Sequence, residues 1–91
     1  MNYIVIEMIL DTTGDFSVKT SIFEEKQLAE ADYYTKLATG AVSSANKYTV
    51  SMLNDDGILL YRQSFKKVLE QIGNNEFREV VESQTDNMAK D

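Results

Sequence analysis

The chain has 91 residues, neither cysteine nor histidine, and a formal net charge of −6 from 15 acidic and 9 basic residues. Its length favours a single domain. Disulfides are excluded, the usual zinc ligands are missing, and the negative charge argues against nucleic-acid binding, which needs Lys and Arg to contact phosphates.

The first predicted element is a hairpin over residues 3–23. Residues 3–10 are rich in β-branched side chains and end at an Asp-Thr-Thr-Gly-Asp cluster, which is typical of a strand that runs into a turn. Residues 16–22 then alternate apolar and polar side chains. Gly14 supplies the positive φ that a tight hairpin turn requires.

A long helix is predicted over residues 24–45. Its apolar stripe repeats every four residues, through Ala29, Tyr33, Leu37 and Ala41. Glu24 and Glu25 suit the positive end of the helix dipole in the first turn. Small residues on this stripe, among them Gly40, would let the helix approach a sheet closely.

A second hairpin is predicted over residues 47–63. Tyr48, Val50 and Met52 alternate with polar residues, as in a strand with one buried face. The following Asn-Asp-Asp-Gly at 54–57 favours a type I′ turn. The fourth strand then begins at Ile58.

The last third of the chain is predicted to be helical. Ser64 could cap a short helix whose apolar residues Phe65, Val68, Leu69 and Ile72 share one face, and Gly73 suits the position after its end. Phe77, Val80 and Val81 could form one face of a second short, acidic helix. Residues 1–73 are therefore interpreted as a ββαββ domain, and residues 74–91 as an acidic tail that is partly helical or disordered.

Together these elements predict an α+β fold. Its sheet has four antiparallel strands in the order 2-1-3-4, with the long helix on one face and a short C-terminal helical extension. This order keeps every pair of neighbouring strands antiparallel.

No residue pattern indicates catalysis, a cofactor or a metal. Without histidine, Ser43 and Ser44 lack the base that usually activates a nucleophilic serine. The aspartates of the two predicted turns are ordinary turn residues, and neither turn resembles a calcium-binding loop. We therefore predict a non-enzymatic protein with no cofactor and no metal ion.

A nucleic-acid surface is the runner-up interpretation. Single strands bind where aromatic rings lie beside a basic groove, and the chain offers candidates for both. These are Tyr33, Tyr34, Tyr48 and Tyr61, with Lys47, Arg62, Lys66 and Lys67. They do not interleave in one compact motif, and Tyr is also an ordinary half-buried residue.

The leading interpretation is an interaction surface, because the first and fourth predicted strands are apolar on both faces. One helix covers one face of a sheet, so the other face needs a cover. Residues 65–81, a second copy of the chain, or another protein could supply it. The candidate interface on this second face is Tyr3, Val5, Ile9, Leu59 and Tyr61. A homodimer is the favoured outcome.

Parts of the chain resemble a known family. Residues 3–7 (Tyr-Ile-Val-Ile-Glu), 29–34 (Ala-Glu-Ala-Asp-Tyr-Tyr), 37–38, 41–43 and the Asp-Asp-Gly at 55–57 are similar to small proteins of phage and prophage gene clusters in Gram-positive gut bacteria. The resemblance spans about residues 3–65. It implies a phage-encoded or prophage-encoded accessory role and brings no catalytic residues.

No apolar stretch approaches the roughly 20 residues that a membrane-spanning helix needs. We therefore expect no membrane association and a cytoplasmic location.

Overall fold

The computed structural model describes residues 1–86 of the chain. Its elements are β1 (Tyr3–Leu10), β2 (Phe16–Phe23), α1 (Lys26–Ala41), β3 (Lys47–Asn54), β4 (Leu59–Gln71) and β5 (Phe77–Asp86). The five strands form one antiparallel sheet in the order β2-β1-β3-β4-β5. The α+β class and the predicted order of the first four strands are confirmed. The last five residues of the predicted tail lie outside the described residues.

The prediction of four strands and a C-terminal helical extension is wrong. β4 continues to Gln71 and pairs along ten residues with β5, so Val68 lies directly opposite Val80. The apolar spacing of residues 65–72 also fits a helix, but a helix capped by Ser64 would break the pairing of residues 64–66 with β3. Gly73 lies in the connecting turn, where Ile72 N–H donates to the Glu76 carbonyl at 3.0 Å.

The helix is shorter than predicted at both ends. Glu25 is its N-cap, so Glu24 and Glu25 precede the first turn instead of lying within it. α1 ends at Ala41, and the Ser43 amide donates to the Gly40 carbonyl at 3.2 Å in a tight final turn. The Ser43 hydroxyl then accepts a bond from the Ala45 amide at 3.1 Å, and this local bonding competes with further helix.

Both predicted hairpins are present, but the prediction of a type I′ turn at 54–57 is wrong. That type needs a positive φ at both central residues, and of these four residues only Gly57 has one. Gly14 and Gly57 have φ values of 92° and 80°, as tight turns between strands require. Asp11 Oδ1 accepts bonds from the amides of Thr13 and Asp15, each at 2.9 Å. In the second turn, Asn54 Oδ1 accepts bonds from the amides of Asp56 and Ile58, at 2.9 and 3.0 Å. These side chains hold the turns closed.

The core lies between α1 and one face of the sheet. Its buried members are Val5, Ala29, Tyr33, Tyr48, Val50, Met52 and Leu60. Leu60 enters this core at an irregularity of the β3–β4 register, between Tyr61 and Leu59. Tyr33 and Leu37 of the predicted helix stripe pack here, whereas Ala41 is exposed and the adjacent Gly40 is buried.

A two-stranded ribbon extends beyond the core. Lys47 and Lys66 form the last pair between β3 and β4, and from residue 68 to residue 80 only β4, β5 and their turn remain. This ribbon (residues 68–80) contributes to the elongated shape, 54 × 26 × 19 Å.

Candidate interaction surface

The sheet face opposite α1, here called the open face, carries four rows of side chains. Residues directly opposite each other in an antiparallel sheet project to the same side. From β2 towards β5, the first row is Phe16, Leu10, Lys47, Lys66 and Glu82, and the second is Val18, Met8, Thr49, Ser64 and Gln84. The third row contains Thr20, Ile6, Ser51 and Arg62, and the fourth Ile22, Ile4, Leu53 and Leu59.

The half of the open face formed by β1 and β2 is apolar. Seven of its eight side chains are Ile, Leu, Met, Phe or Val, and the eighth is Thr20. On the edge strand, Phe16, Val18 and Ile22 are 62%, 53% and 65% exposed. No element within residues 1–86 covers this apolar half, because α1 packs on the other face.

The predicted interface residues are mostly on the wrong face. Tyr3, Val5, Ile9 and Tyr61 belong to the core under α1, and Val5 is fully buried. Of the five, Leu59 alone lies on the open face, opposite Leu53. Because side chains alternate, choosing the wrong phase of a strand exchanges its two faces completely.

Glu7 lies on the side of β1 that its sequence marks as solvent-facing. It is the one charged residue of β1, and charge is typical of a wet sheet face, yet it is buried under α1, where the Tyr48 hydroxyl donates to its carboxylate. Within the described residues, no buried side-chain polar atom lacks a partner. The strand that indicates the correct side is β3, whose apolar residues Tyr48, Val50 and Met52 lie opposite the odd-numbered residues of β1. The apolar residues of β2 lie opposite the even-numbered side and favour the wrong assignment.

The suggestion that residues 65–81 fold back over the second face is also wrong. These residues extend the sheet sideways as β4 and β5, and the ribbon projects beyond the body. They therefore leave the apolar half uncovered.

The other half of the open face is polar except for Leu53 and Leu59, and it contains three cations. Lys47 and Lys66 lie directly opposite each other, and Arg62 lies four positions before Lys66 on the same side of β4. The small side chains of Thr49 and Ser51 are buried between β1 and β4 and form a floor there. A trough of about 700 Å³ crosses this half, lined by Lys47, Ser64, Lys66, Glu82, Ser83 and Gln84.

The tyrosines do not form a surface for stacking bases. Tyr33 and Tyr48 are buried, and the ring of Tyr61 packs 5.7 Å from that of Tyr33 beneath the helix. Burial raises the pKa of the Tyr33 phenol to about 12, with a smaller contribution from the neighbouring Tyr34 and Tyr61. Lys47, Arg62 and Lys66 therefore lie on the open face, away from these aromatic rings. Lys67 points to the opposite side of β4, where it bonds the Ser44 carbonyl.

The turn carboxylates act within their own turns. The Thr13 hydroxyl donates to Asp11 at 2.6 Å, and this bond with those of the turn amides lowers the pKa of the Asp11 carboxyl. Among residues 1–86, no group of three or more acidic side chains is placed to hold a metal ion. No helix in the same part of the chain has the length and apolar character to cross a membrane.

Fold and surface together define a small α+β chain whose sheet is covered on one face and divided into apolar and cationic halves on the other. Comparison with protein-family models, with curated proteins and with solved structures finds no match to this chain.

Proposed function

We propose that this chain is a non-enzymatic interaction protein that binds another protein chain through the apolar half of its open face. The observation that carries the proposal is the run of apolar side chains on β1 and β2 that no described element covers. Soluble monomers rarely expose contiguous apolar surface of this kind unless it is a binding site.

The total surface supports this proposal. The chain exposes 6101 Å², whereas a compact monomer of its mass would expose roughly 5,400 Å². Association would remove part of this surface from water, which favours binding.

Site-specific photo-cross-linking tests the proposal. A photoreactive amino acid at position 18 lies on the open face, and one at position 17 lies on the same strand but points to the opposite side. Both positions are exposed. We expect position 18 to cross-link to a protein in cells that express the chain, and position 17 to do so much less. Equal yields at the two positions would overturn the proposal.

The resemblance to phage and prophage proteins leads us to propose an accessory role in such a genetic element. The natural candidates for the cross-linked protein are then the chain itself and products of neighbouring phage genes. Mass spectrometry of the cross-linked species tests this, and a partner unrelated to any phage or prophage would contradict the role.

A second candidate function is nucleic-acid binding, and the adjacent Lys47, Arg62 and Lys66 favour it. Such a contact would weaken with added salt, because binding releases counterions from the phosphates. In a mobility shift with single-stranded DNA or RNA, replacing Lys47 and Lys66 with Gln should abolish binding. Lys19→Gln, on the opposite side of β2, should leave binding unchanged. A shift that is insensitive to the double substitution would reject this function.

A further inference from the structure

We infer that the chain which covers the apolar half is a second copy of this protein, packed sheet against sheet about a two-fold axis parallel to β1. The axis passes between β1 and β2, so β1 of each copy lies over β2 of its partner. This inference rests on the proposed function and adds both the partner and the geometry.

The apolar half can face its own copy without burying a charge. Its eight side chains on β1 and β2 include no acidic or basic residue. A two-fold interface brings the same patch of both copies together. Two sheets packed face to face lie about 10 Å apart, with their strands within about 30° of parallel. With the axis parallel to the strands, each row of the open face would meet the same row of the partner.

The positions of the cations determine the direction of the axis. The alternative axis is perpendicular to the strands and lies in the plane between the two sheets. Each strand then lies over the same strand of the partner, and the first row of one copy meets the fourth row of the other. Lys47 and Lys66 of the first row would then lie on Leu53 and Leu59 of the fourth row. Burying an unpaired ammonium against apolar side chains is strongly unfavourable.

An axis parallel to the strands avoids this cost. It places apolar strands on apolar strands, and the β3 and β4 columns of each copy project beyond the partner's edge strand β2. Lys47 and Lys66 then form a solvated rim around an apolar centre, which is the usual arrangement of protein interfaces. The cationic trough stays open in the dimer.

The size of the apolar half indicates a weak, reversible dimer. Two strands of eight residues form a footprint of roughly 26 by 10 Å from the spacings within and between strands. This footprint, roughly 260 Å² on each copy, is well below the roughly 800 Å² per partner of a stable interface, so the contact is transient. We expect the mass to rise from 10.3 kDa towards twice that value only at high protein concentration.

Spin labels distinguish the two axes, and the absence of cysteine from the chain allows single labelling sites. Thr12 is exposed in the β1–β2 turn, next to the inferred axis. For Thr12→Cys the label distance should be roughly 10–20 Å with the parallel axis and roughly 35 Å or more with the perpendicular axis. For Asn75→Cys, at the ribbon tip, the label distance should be roughly 30 Å with the parallel axis and more than roughly 60 Å with the perpendicular axis.

The matched variants Val18→Lys and Ser17→Lys complete the test, because they add the same charge to opposite sides of one exposed strand. We expect Val18→Lys to abolish the dimer and its dipolar signal, and Ser17→Lys to preserve both. Long label distances, equal effects of the two substitutions, or a monomer at every concentration would overturn the inference. A cross-link from position 18 to a different protein would in that case leave the proposed function standing, whereas its absence would remove both.

Discussion

Gly40 is the residue at which the helix comes closest to the sheet. A Cβ atom at this position would lie 2.6 Å from Cδ1 of Tyr48 and 3.0 Å from the ring of Phe65. Because Tyr48 is buried, its ring has little room to move aside. Glycine therefore sets the distance between α1 and β3.

We predict that Gly40→Ala destabilises the fold. Overpacking costs about 1–3 kcal/mol, and the higher helix propensity of Ala returns up to about 1 kcal/mol, which leaves a net loss of about 1 kcal/mol. Urea unfolding measures it. The control Ala38→Gly, at an exposed helix position, reports propensity alone. A Gly40→Ala protein more stable than the wild type would show that the rings move aside freely.

The raised pKa of the Tyr33 phenol leads us to predict a loss of stability at alkaline pH. Burial raises the pKa of its phenol from 10.0 to about 12 in the folded state. Between these values the unfolded chain releases the proton while the folded chain keeps it, so the free energy of unfolding falls as the pH rises. Below pH 10 this contribution is fully present.

Denaturant unfolding between pH 10 and about pH 12 checks this prediction. Tyr33→Phe should reduce the fall in the free energy of unfolding with pH, because it keeps the aromatic ring and removes the phenol that titrates. Tyr34→Phe, which removes a phenol that is 56% exposed on the same helix, should retain it. A decline of equal slope in the wild type and in Tyr33→Phe would contradict the assignment.

At the level of elements, the ribbon is the part of the described chain with the least support. Two strands alone are marginally stable in water. Its apolar residues Leu69 and Phe77 are 68% and 58% exposed. The ion pair between Arg78 and Glu70, at 2.9 Å, is itself exposed, and pairs of this kind add little.

We predict that the ribbon opens independently of the body. Amides of residues 68–71 and 77–80 should exchange with solvent much faster than those of β1 and β3, because local opening needs less free energy than global unfolding. NMR hydrogen exchange on the full chain measures both sets. Replacing residues 68–80 with an Asn-Gly turn should leave the body folded. Equal protection in the ribbon and the body would show one cooperative unit.

At the level of the whole molecule, charge and apolar surface act in opposite directions. Each copy carries a net charge of −6, so two copies repel one another, while their apolar halves attract. Salt screens this repulsion, because the Debye length falls from about 10 Å at 0.1 M to about 3 Å at 1 M. The apolar attraction does not depend on charge.

We therefore predict that self-association strengthens with sodium chloride. Sedimentation equilibrium at low and high salt should show a larger dimer fraction at high salt. A nucleic-acid complex would respond in the opposite direction, because its phosphate contacts weaken with salt. A dimer that dissociates on addition of salt would indicate an interface held by ion pairs and not by the apolar half.

Several features were predictable because their causes are local. Gly14 and Gly57, each beside Asp or Asn, mark turns that need a positive φ. The alternation around Val50 and the four-residue spacing from Ala29 to Leu37 indicate a strand and a helix. These signals establish the α+β class and, with antiparallel neighbours required, the order of the first four strands. Each cause operates within a few residues or between adjacent elements.

Only the tertiary structure decided the remaining features, because they depend on what lies opposite a residue. β1 is apolar on both sides, and the buried contact of Glu7 with Tyr48 placed its odd-numbered side under the helix. Residues 65–72 fit a helix or a strand, and pairing with β5 selected the strand. The sequence by itself therefore determined the elements up to Tyr61 and indicated that one helix covers one face of the sheet. The packing of α1 and the pairing of β5 determined which side chains lie on that face.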